Sequence, residues 1–244
     1  MRNIALVLAY DGTNYHGWQR QPGVVTIEQK VREALQKILD HETKVYAGAR
    51  TDSGVHAMGQ VVNFVTEKGI ELQNLSRGLN SILPHDIRVM NARDVDEGFH
   101  ARYSARSKTY VYCILNQLYN SPFLIRYVLH WPRSLDIGAM KQAVSWVVGK
   151  HDFSAFKKKD ELYKNPVREV RRAGVIKRAG MIYIILEATG FLRYMVRTIT
   201  GTLLLAGQGK INPEDFKEIL ASKERERAGE TLPPHGLFLK KITY

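Results

Sequence analysis

The stretch Lys44-Val45-Tyr46-Ala47-Gly48-Ala49-Arg50-Thr51-Asp52-Ser53-Gly54-Val55-His56-Ala57-Met58-Gly59-Gln60-Val61-Val62-Asn63-Phe64-Val65 decides how the first half of this chain folds. Lys44 to Ala47 and Gln60 to Val65 read as strands, the second rich in Val and Phe, and Asp52-Ser53-Gly54 between them is turn chemistry. Two strands therefore adjoin with no helix between them. Upstream, Asn3 to Tyr10 reads as a strand. A helix then begins at Thr26, which has capping-box spacing to Gln29, with Ile27, Val31, Leu35 and Ile38 on one face. Downstream, Leu72, Leu75, Leu79 and Ile82 share the face of a second helix that stops before Pro84, and Ile87 to Val95 returns as a strand. The order is β-α-β-β-α-β, a split βαβ unit.

The second half repeats a similar order of elements without a sequence repeat. A strand from Lys108 to Leu115 precedes a looser stretch from Asn116 to Pro132, and a helix capped by Ser134 runs to Gly149 with Leu135, Met140, Val144 and Val147 inward. Strands Val167 to Lys177 and Met181 to Thr189 flank the turn Ala179-Gly180. A long helix from about Phe191 to Ala206, a shorter one opening at Asn212-Pro213 with Glu214 and Asp215 at its positive end, and a last strand Leu237 to Ile242 complete the chain. The expected fold is α+β: two split βαβ, ferredoxin-like halves sharing a central, mostly antiparallel sheet. Residues 1–104 carry the Asp52 turn and 105–244 complete a cleft.

With 244 residues the chain is long enough to bury a substantial core, and 44% hydrophobic residues indicate a globular protein. A net charge of +12 calls for a polyanionic partner, for which nucleic acid is the usual one. The single cysteine, Cys113, lies in the apolar run Tyr110 to Leu115, which excludes a disulfide framework within one chain and reads as a buried small hydrophobe. Ile4 to Tyr10 is followed at once by Asp11-Gly12 with no small-residue cleavage site, so it reads as a strand and not as a signal peptide. No apolar run approaches the roughly 18 residues of a membrane helix. The expectation is a soluble, cytoplasmic protein of a reducing compartment, with no membrane and no metal, since the histidines are scattered without ligand spacing. Walker A and G-x-G-x-x-G patterns are missing, so no nucleotide cofactor is indicated.

Asp52, with Arg50 two residues before it and His56 four after it, is a candidate catalytic carboxylate; the bland reading is that it closes a loop. Arg193 and Arg197 are spaced as neighbours on one helix face, in a segment otherwise mostly apolar, and need an anion; Asp52 is the attractive partner. Gly201 continues that face and admits another backbone or a ligand. Aromatic and basic residues interleave from Phe99 through His100, Arg102, Tyr103 and Lys108 to Tyr110 and Tyr112. Strand alternation puts Tyr110 and Tyr112 on one face, where they either stack an unpaired base or form the edge of the core. The stretch Tyr10 to Gln21, rich in aromatics and amides, is either an RNA-gripping loop or a hydrophobic plug.

Five segments together resemble the TruA family of tRNA pseudouridine synthases: Tyr10-Asp11-Gly12-Thr13 with Gly17-Trp18-Gln19, Arg50 to Ala57, Lys108-Thr109-Tyr110-Val111-Tyr112, Phe191 to Arg197, and Gly236-Leu237-Phe238-Leu239. The similarity spans nearly the whole chain; Ala49 departs from the Gly or Ser the family often has there. The resemblance implies an isomerase that converts uridine to pseudouridine in the tRNA anticodon stem-loop, at positions 38, 39 and 40, without a cofactor and as a homodimer. It implies Asp52 as the catalytic nucleophile, Arg197 as its ion-pair partner and Tyr110 as the ring over the uracil. Arg50 enters the RNA stack, Leu237 packs around Tyr110, and His56 belongs to the substrate-binding turn. The competing class is a non-catalytic RNA-binding protein with a split βαβ fold. Lys108 to Tyr112 lacks the Gly and Phe pattern of such a recognition strand. A metal-dependent nuclease is a third possibility, which activity persisting in excess chelator would exclude.

Overall fold

The apolar runs become central strands because their side chains are covered on both faces. In the computed structural model, which describes residues 1–159 and 161–244, β1 (Arg2–Tyr10) buries Ile4, Leu6 and Leu8 completely. Two compact units are present, one formed by Met1–Arg106 with Phe238–Tyr244 and the other by Ser107–Leu237.

In the first unit, β1 is followed by α1 (Ile27–Leu39), β2 (Tyr46–Ala47), β3 (His56–Thr66), α2 (Leu72–Ile82) and β4 (Ile87–Val95), the order read from sequence. β1 pairs antiparallel with β3, Val7 opposite Val61, and with β4, Ala5 opposite Arg93. β2 joins β3, antiparallel, with Tyr46 opposite Asn63. Thr26 caps α1, its side chain accepting from the Gln29 amide at 3.4 Å. Ile82 departs from expectation: at the end of α2 it is 38% exposed, while Leu75 and Leu79 alone among the four leucine-type positions are fully covered.

In the second unit the chain order is β5 (Ser107–Leu115), β6 (Leu129–His130), α3 (Ile137–Ser145), β7 (Gly149–Asp152), β8 (Val167–Arg178), β9 (Met181–Ala188), α4 (Met195–Gly207) and α5 (Pro213–Ser222). β5, β9, β8 and β7 are hydrogen-bonded neighbours in that order, all antiparallel. Ala179 and Gly180, with φ of 49° and 78°, make the β8–β9 turn, the conformation a two-residue hairpin of this twist requires. Asn212 and Asp215 form the capping box of α5. Three expectations are corrected. α3 is capped by Asp136, whose side chain accepts from the Ala139 amide at 2.9 Å, not by Ser134, and it ends at Ser145 because Gly149 already opens β7. α4 begins at Met195 and not near Phe191. Cys113 is half-buried, on the less covered face of β5.

The final strand, β10 (Leu237–Thr243), pairs parallel with β3, Phe238 opposite His56 and Leu239 opposite Ala57, so its residues from Phe238 onward belong with the first unit. Gly59 permits this neighbour, since a Cβ there would lie 2.7 Å from the Lys240 carbonyl oxygen.

Candidate active site

Asp52 sits half-buried in the turn that enters β3, between buried Thr51 and exposed Ser53. The Val55 amide donates to the Asp52 carbonyl at 3.1 Å, closing the turn. The Tyr10–Gln21 segment grips it from one side. The Trp18 amide donates to the Thr51 carbonyl at 3.1 Å, and the Gly54 amide donates to the Tyr15 carbonyl at 3.3 Å. Approach this close requires two glycines. A Cβ on Gly17, whose φ is +84°, would lie 2.6 Å from the Thr51 oxygen, and one on Gly12 would lie 2.1 Å from the Val55 oxygen. Tyr10, Tyr15 and Trp18 are all buried, so the aromatic rings of this segment pack as a plug, while Asn14, Gln19 and Gln21 are exposed.

A second set of bonds fixes the chain on the other side of Asp52. Gln60, completely buried on β3, accepts from the Ala49 amide through Oε1 at 3.1 Å and donates from Nε2 to the Ala49 carbonyl at 2.7 Å. The Tyr10 hydroxyl shares a 2.8 Å hydrogen bond with Thr51 Oγ1. Burial pushes this phenol's pKa up to about 12, against the opposing effect of its bonds to Thr51 and Gln60, so it stays protonated. Ala49 and Thr51 are thus held while Arg50 between them is exposed. This leaves a cation projecting to solvent from a fixed backbone. Gln60 and Tyr10 were legible only as strand residues, because an amide that closes on backbone inside the core has the same alternation as one facing water.

His56 is almost wholly buried and stacks on Phe238, centroids 4.7 Å apart. Its Nδ1 lies 3.0 Å from both the Gly12 amide nitrogen and Asp11 Oδ1. Carrying no proton, Nδ1 accepts from Gly12; protonated, it donates to Asp11. Either way His56 ties β3 to the start of the glycine-bearing segment, so it acts on the turn from inside the fold.

Tyr110, Arg197 and Leu237 lie in the second unit. Tyr110 is buried, its ring edge-on to Phe191 at 5.1 Å, and Leu237 is buried too. Tyr112 beside it is fully covered and donates to the Pro233 carbonyl at 2.8 Å. Arg197 is half-buried on the first turn of α4, donating from Nε to the Leu232 carbonyl at 2.6 Å with its guanidinium 4.7 Å from the centre of the Tyr194 ring. Arg193 is not its helical neighbour: Tyr194, with φ of 68°, breaks the chain direction and leaves Arg193 exposed before the helix. The face of Gly201 is taken by backbone, since a Cβ there would be 2.0 Å from the Glu230 oxygen. That approach sets the Gly229–Pro233 segment against α4, where Leu232 meets Arg197.

Among the described residues, no group of three or more His, Cys, Asp and Glu is placed to hold a metal ion, and no helix is long and apolar enough to cross a membrane. Two surface cavities, one lined by Met1 with residues 39–44 and 65–68 and one by residues 19–25 with Glu28, Gln29 and Arg32, do not include Asp52.

Residues 6–104 and 143–244 match the sequence profile of a family described as tRNA pseudouridine synthase. A tRNA pseudouridine synthase A of Thermoanaerobacter sp. (strain X514) is 46% identical, and a tRNA pseudouridine synthase A 2 of Clostridium perfringens 45% identical, each over 244 residues covering the whole of both chains. The tRNA pseudouridine synthase A of Bacillus pumilus is 40% identical over 99% of this chain and 98% of its own. Among solved structures, an archaeal box H/ACA sRNP Nop10-Cbf5 complex aligns with 82% of this chain and 42% of that one, at 14% identity and a TM-score of 0.32.

Proposed function

Because this chain belongs to the tRNA pseudouridine synthase family, we propose that Asp52 is the carboxylate with which it carries out the family's reaction on tRNA. The protein is an isomerase acting on tRNA, and uridine and pseudouridine have the same composition. The bond from ribose C1′ to uracil N1 breaks, the base turns, C1′ bonds to C5, and the C5 proton leaves as N1 gains one. Such a reaction needs a carboxylate in its ionised form, a cation to keep it so and a ring to retain the loosened base.

The residues assigned by similarity supply these three parts. Asp52 is the nucleophile, Arg197 the cation paired with it, and Tyr110 the ring over the uracil. Leu237 backs Tyr110. Arg50 enters the space left by the extruded uridine, since a stacked base cannot be worked on in place, and His56 holds the turn that binds substrate. The substrate region is the anticodon stem-loop at positions 38, 39 and 40, and the working form is a homodimer that uses neither cofactor nor metal.

The observation that carries this reading is the full-length similarity joined to the way Ala49 and Thr51 are clamped on either side of exposed Arg50. A positioned catalytic group is worth far more than a mobile one. The net charge of +12 suits a polyanion, with phosphate contacts supplying affinity. The test is to incubate unmodified tRNA with the protein alone in excess chelator and map pseudouridine by carbodiimide-dependent primer-extension stops. Stops at positions 38 to 40 are expected. Conversion elsewhere in the tRNA, or conversion that the chelator abolishes, contradicts the corresponding part of the proposal.

A further inference from the structure

The Asp52 chemistry leaves unexplained the interleaved aromatic and basic residues between Phe99 and Tyr103. They form a ladder of rings on the first unit. Tyr46 on β2 packs against His100 with centroids 4.6 Å apart, and His100 against Tyr103 at 4.4 Å. Cations flank both ends: Lys44 Nζ lies 5.1 Å from the Tyr46 ring centre, and the Arg102 guanidinium 5.5 Å from that of Tyr103. Tyr103 is 76% exposed, so it adds little to the core.

The turn that carries the ladder is anchored from within. Buried Asn3 and Asn63 donate to the Phe99 carbonyl at 2.9 and 3.2 Å, and Asn63 also accepts from the Ala101 amide at 2.8 Å. The Tyr244 hydroxyl donates to the Ala101 carbonyl at 2.8 Å. His100 is fixed in orientation, its Nδ1 accepting from the Arg102 amide at 3.1 Å. Two buried amides thus serve to display an exposed ring on a rigid turn. A ring that merely escaped burial has no need of such support.

We propose that the Tyr46–His100–Tyr103 ladder, with Lys44 and Arg102, is a second RNA contact, at which an unpaired nucleobase of the tRNA stacks on Tyr103 while the cations meet its backbone. The inference rests on tRNA being the substrate. Stacking tolerates any base because each has a π face, and an adjacent cation strengthens it, so the ladder provides affinity and orientation without reading sequence. The net charge of +12 favours a polyanionic occupant of these cation-flanked rings. Tyr46 lies on the strand leading to Arg50, and Gly48 sits so close to the turn that a Cβ on it would be 3.1 Å from the Ala101 oxygen. The ladder is therefore continuous with the chain that enters the Asp52 turn.

The test compares Tyr103→Ala, Tyr103→Phe and Arg102→Ala with the wild type by filter binding of unmodified tRNA and by steady-state turnover. Tyr103→Ala is expected to raise both the tRNA Kd and KM about ten-fold, with the rate at saturating tRNA changed less than two-fold. Tyr103→Phe restores binding, and Arg102→Ala lowers the slope of log Kd against log salt by about one contact. Tyr103→Ala binding tRNA as tightly as wild type overturns the proposal, and so does a change in the protein's oligomeric mass with tRNA affinity intact, which would assign the ring to a second copy. The binding measurement does not depend on turnover. A wild type that binds tRNA but makes no pseudouridine would instead sink the catalytic reading.

Discussion

Gln60 grips Ala49 at both of its backbone polar groups, accepting from its amide at 3.1 Å and donating to its carbonyl at 2.7 Å, one residue before exposed Arg50 and three before Asp52. A side-chain amide here does what a neighbouring strand would do. It supplies both halves of a ladder pair where β2 has already ended at Ala47.

Replacing that amide tests its role. Gln60→Leu keeps volume but orphans two buried backbone groups, costing about 1–3 kcal/mol for each. Denaturant titration should show this loss, and turnover by the surviving folded protein should fall at least ten-fold. Gln60→Leu with wild-type kcat would mean that the Ala49 clamp does not position the turn.

Gly17→Ala meets two obstacles. The φ of +84° costs a residue with a side chain about 1–2 kcal/mol, and the added carbon would stand 2.6 Å from the Thr51 oxygen. The turn must shift to admit it. Because small misplacements of catalytic groups cost about 100-fold in rate, kcat should fall by roughly that factor while tRNA binding changes little.

Gly201→Ala acts through a different segment. Its Cβ would lie 2.0 Å from the Glu230 oxygen, so the Gly229–Pro233 segment must retreat, taking with it the Leu232 carbonyl that Arg197 Nε donates to. Overpacking of this kind costs about 1–3 kcal/mol. The expected result is a lower melting temperature together with a lower kcat. Unchanged melting would show that the segment yields freely.

Acid stability should carry the mark of His235. Burial holds its imidazole below the ordinary value of 6.5, the hydrogen bond with the Val128 backbone opposes this, and the charge of Arg197 adds to the depression. The folded protein therefore binds this proton less readily than the unfolded chain does, so the associated stability is present above pH 6.5 and declines as pH falls below it. The denaturant midpoint should drop from pH 7 to pH 5 in the wild type and drop less in His235→Gln. Equal slopes would remove His235 from the account.

Much of this was legible in sequence wherever local chemistry and long-range packing agree. β4 at Ile87–Val95, the Thr26 cap, the Ala179-Gly180 turn and the Asn212 capping box are each fixed by a few neighbouring residues. What was hidden depends on distant chain. Nothing local marks Tyr194 as left-handed, so Arg193 and Arg197 read as helical neighbours although only Arg197 is in α4. Ser134 and Asp136 are both good caps, and tertiary placement chose the second. Phe238 onward joins the first unit through parallel pairing with β3, a partner some 180 residues away in the chain that no periodicity reveals. In the candidate site, the turn that carries Arg50 and Asp52 was legible, whereas the Gln60 clamp was not, its amide being indistinguishable in sequence from a solvent-facing one.

The most direct measurement is pseudouridine formation by Asp52→Asn, which removes the charge and keeps the shape of the side chain. With unmodified tRNA and primer-extension mapping, the variant should fold, bind tRNA with a Kd within about three-fold of wild type, and be slowed by about 10⁴-fold or more. Pseudouridine appearing at the wild-type rate in Asp52→Asn would contradict the account at its centre.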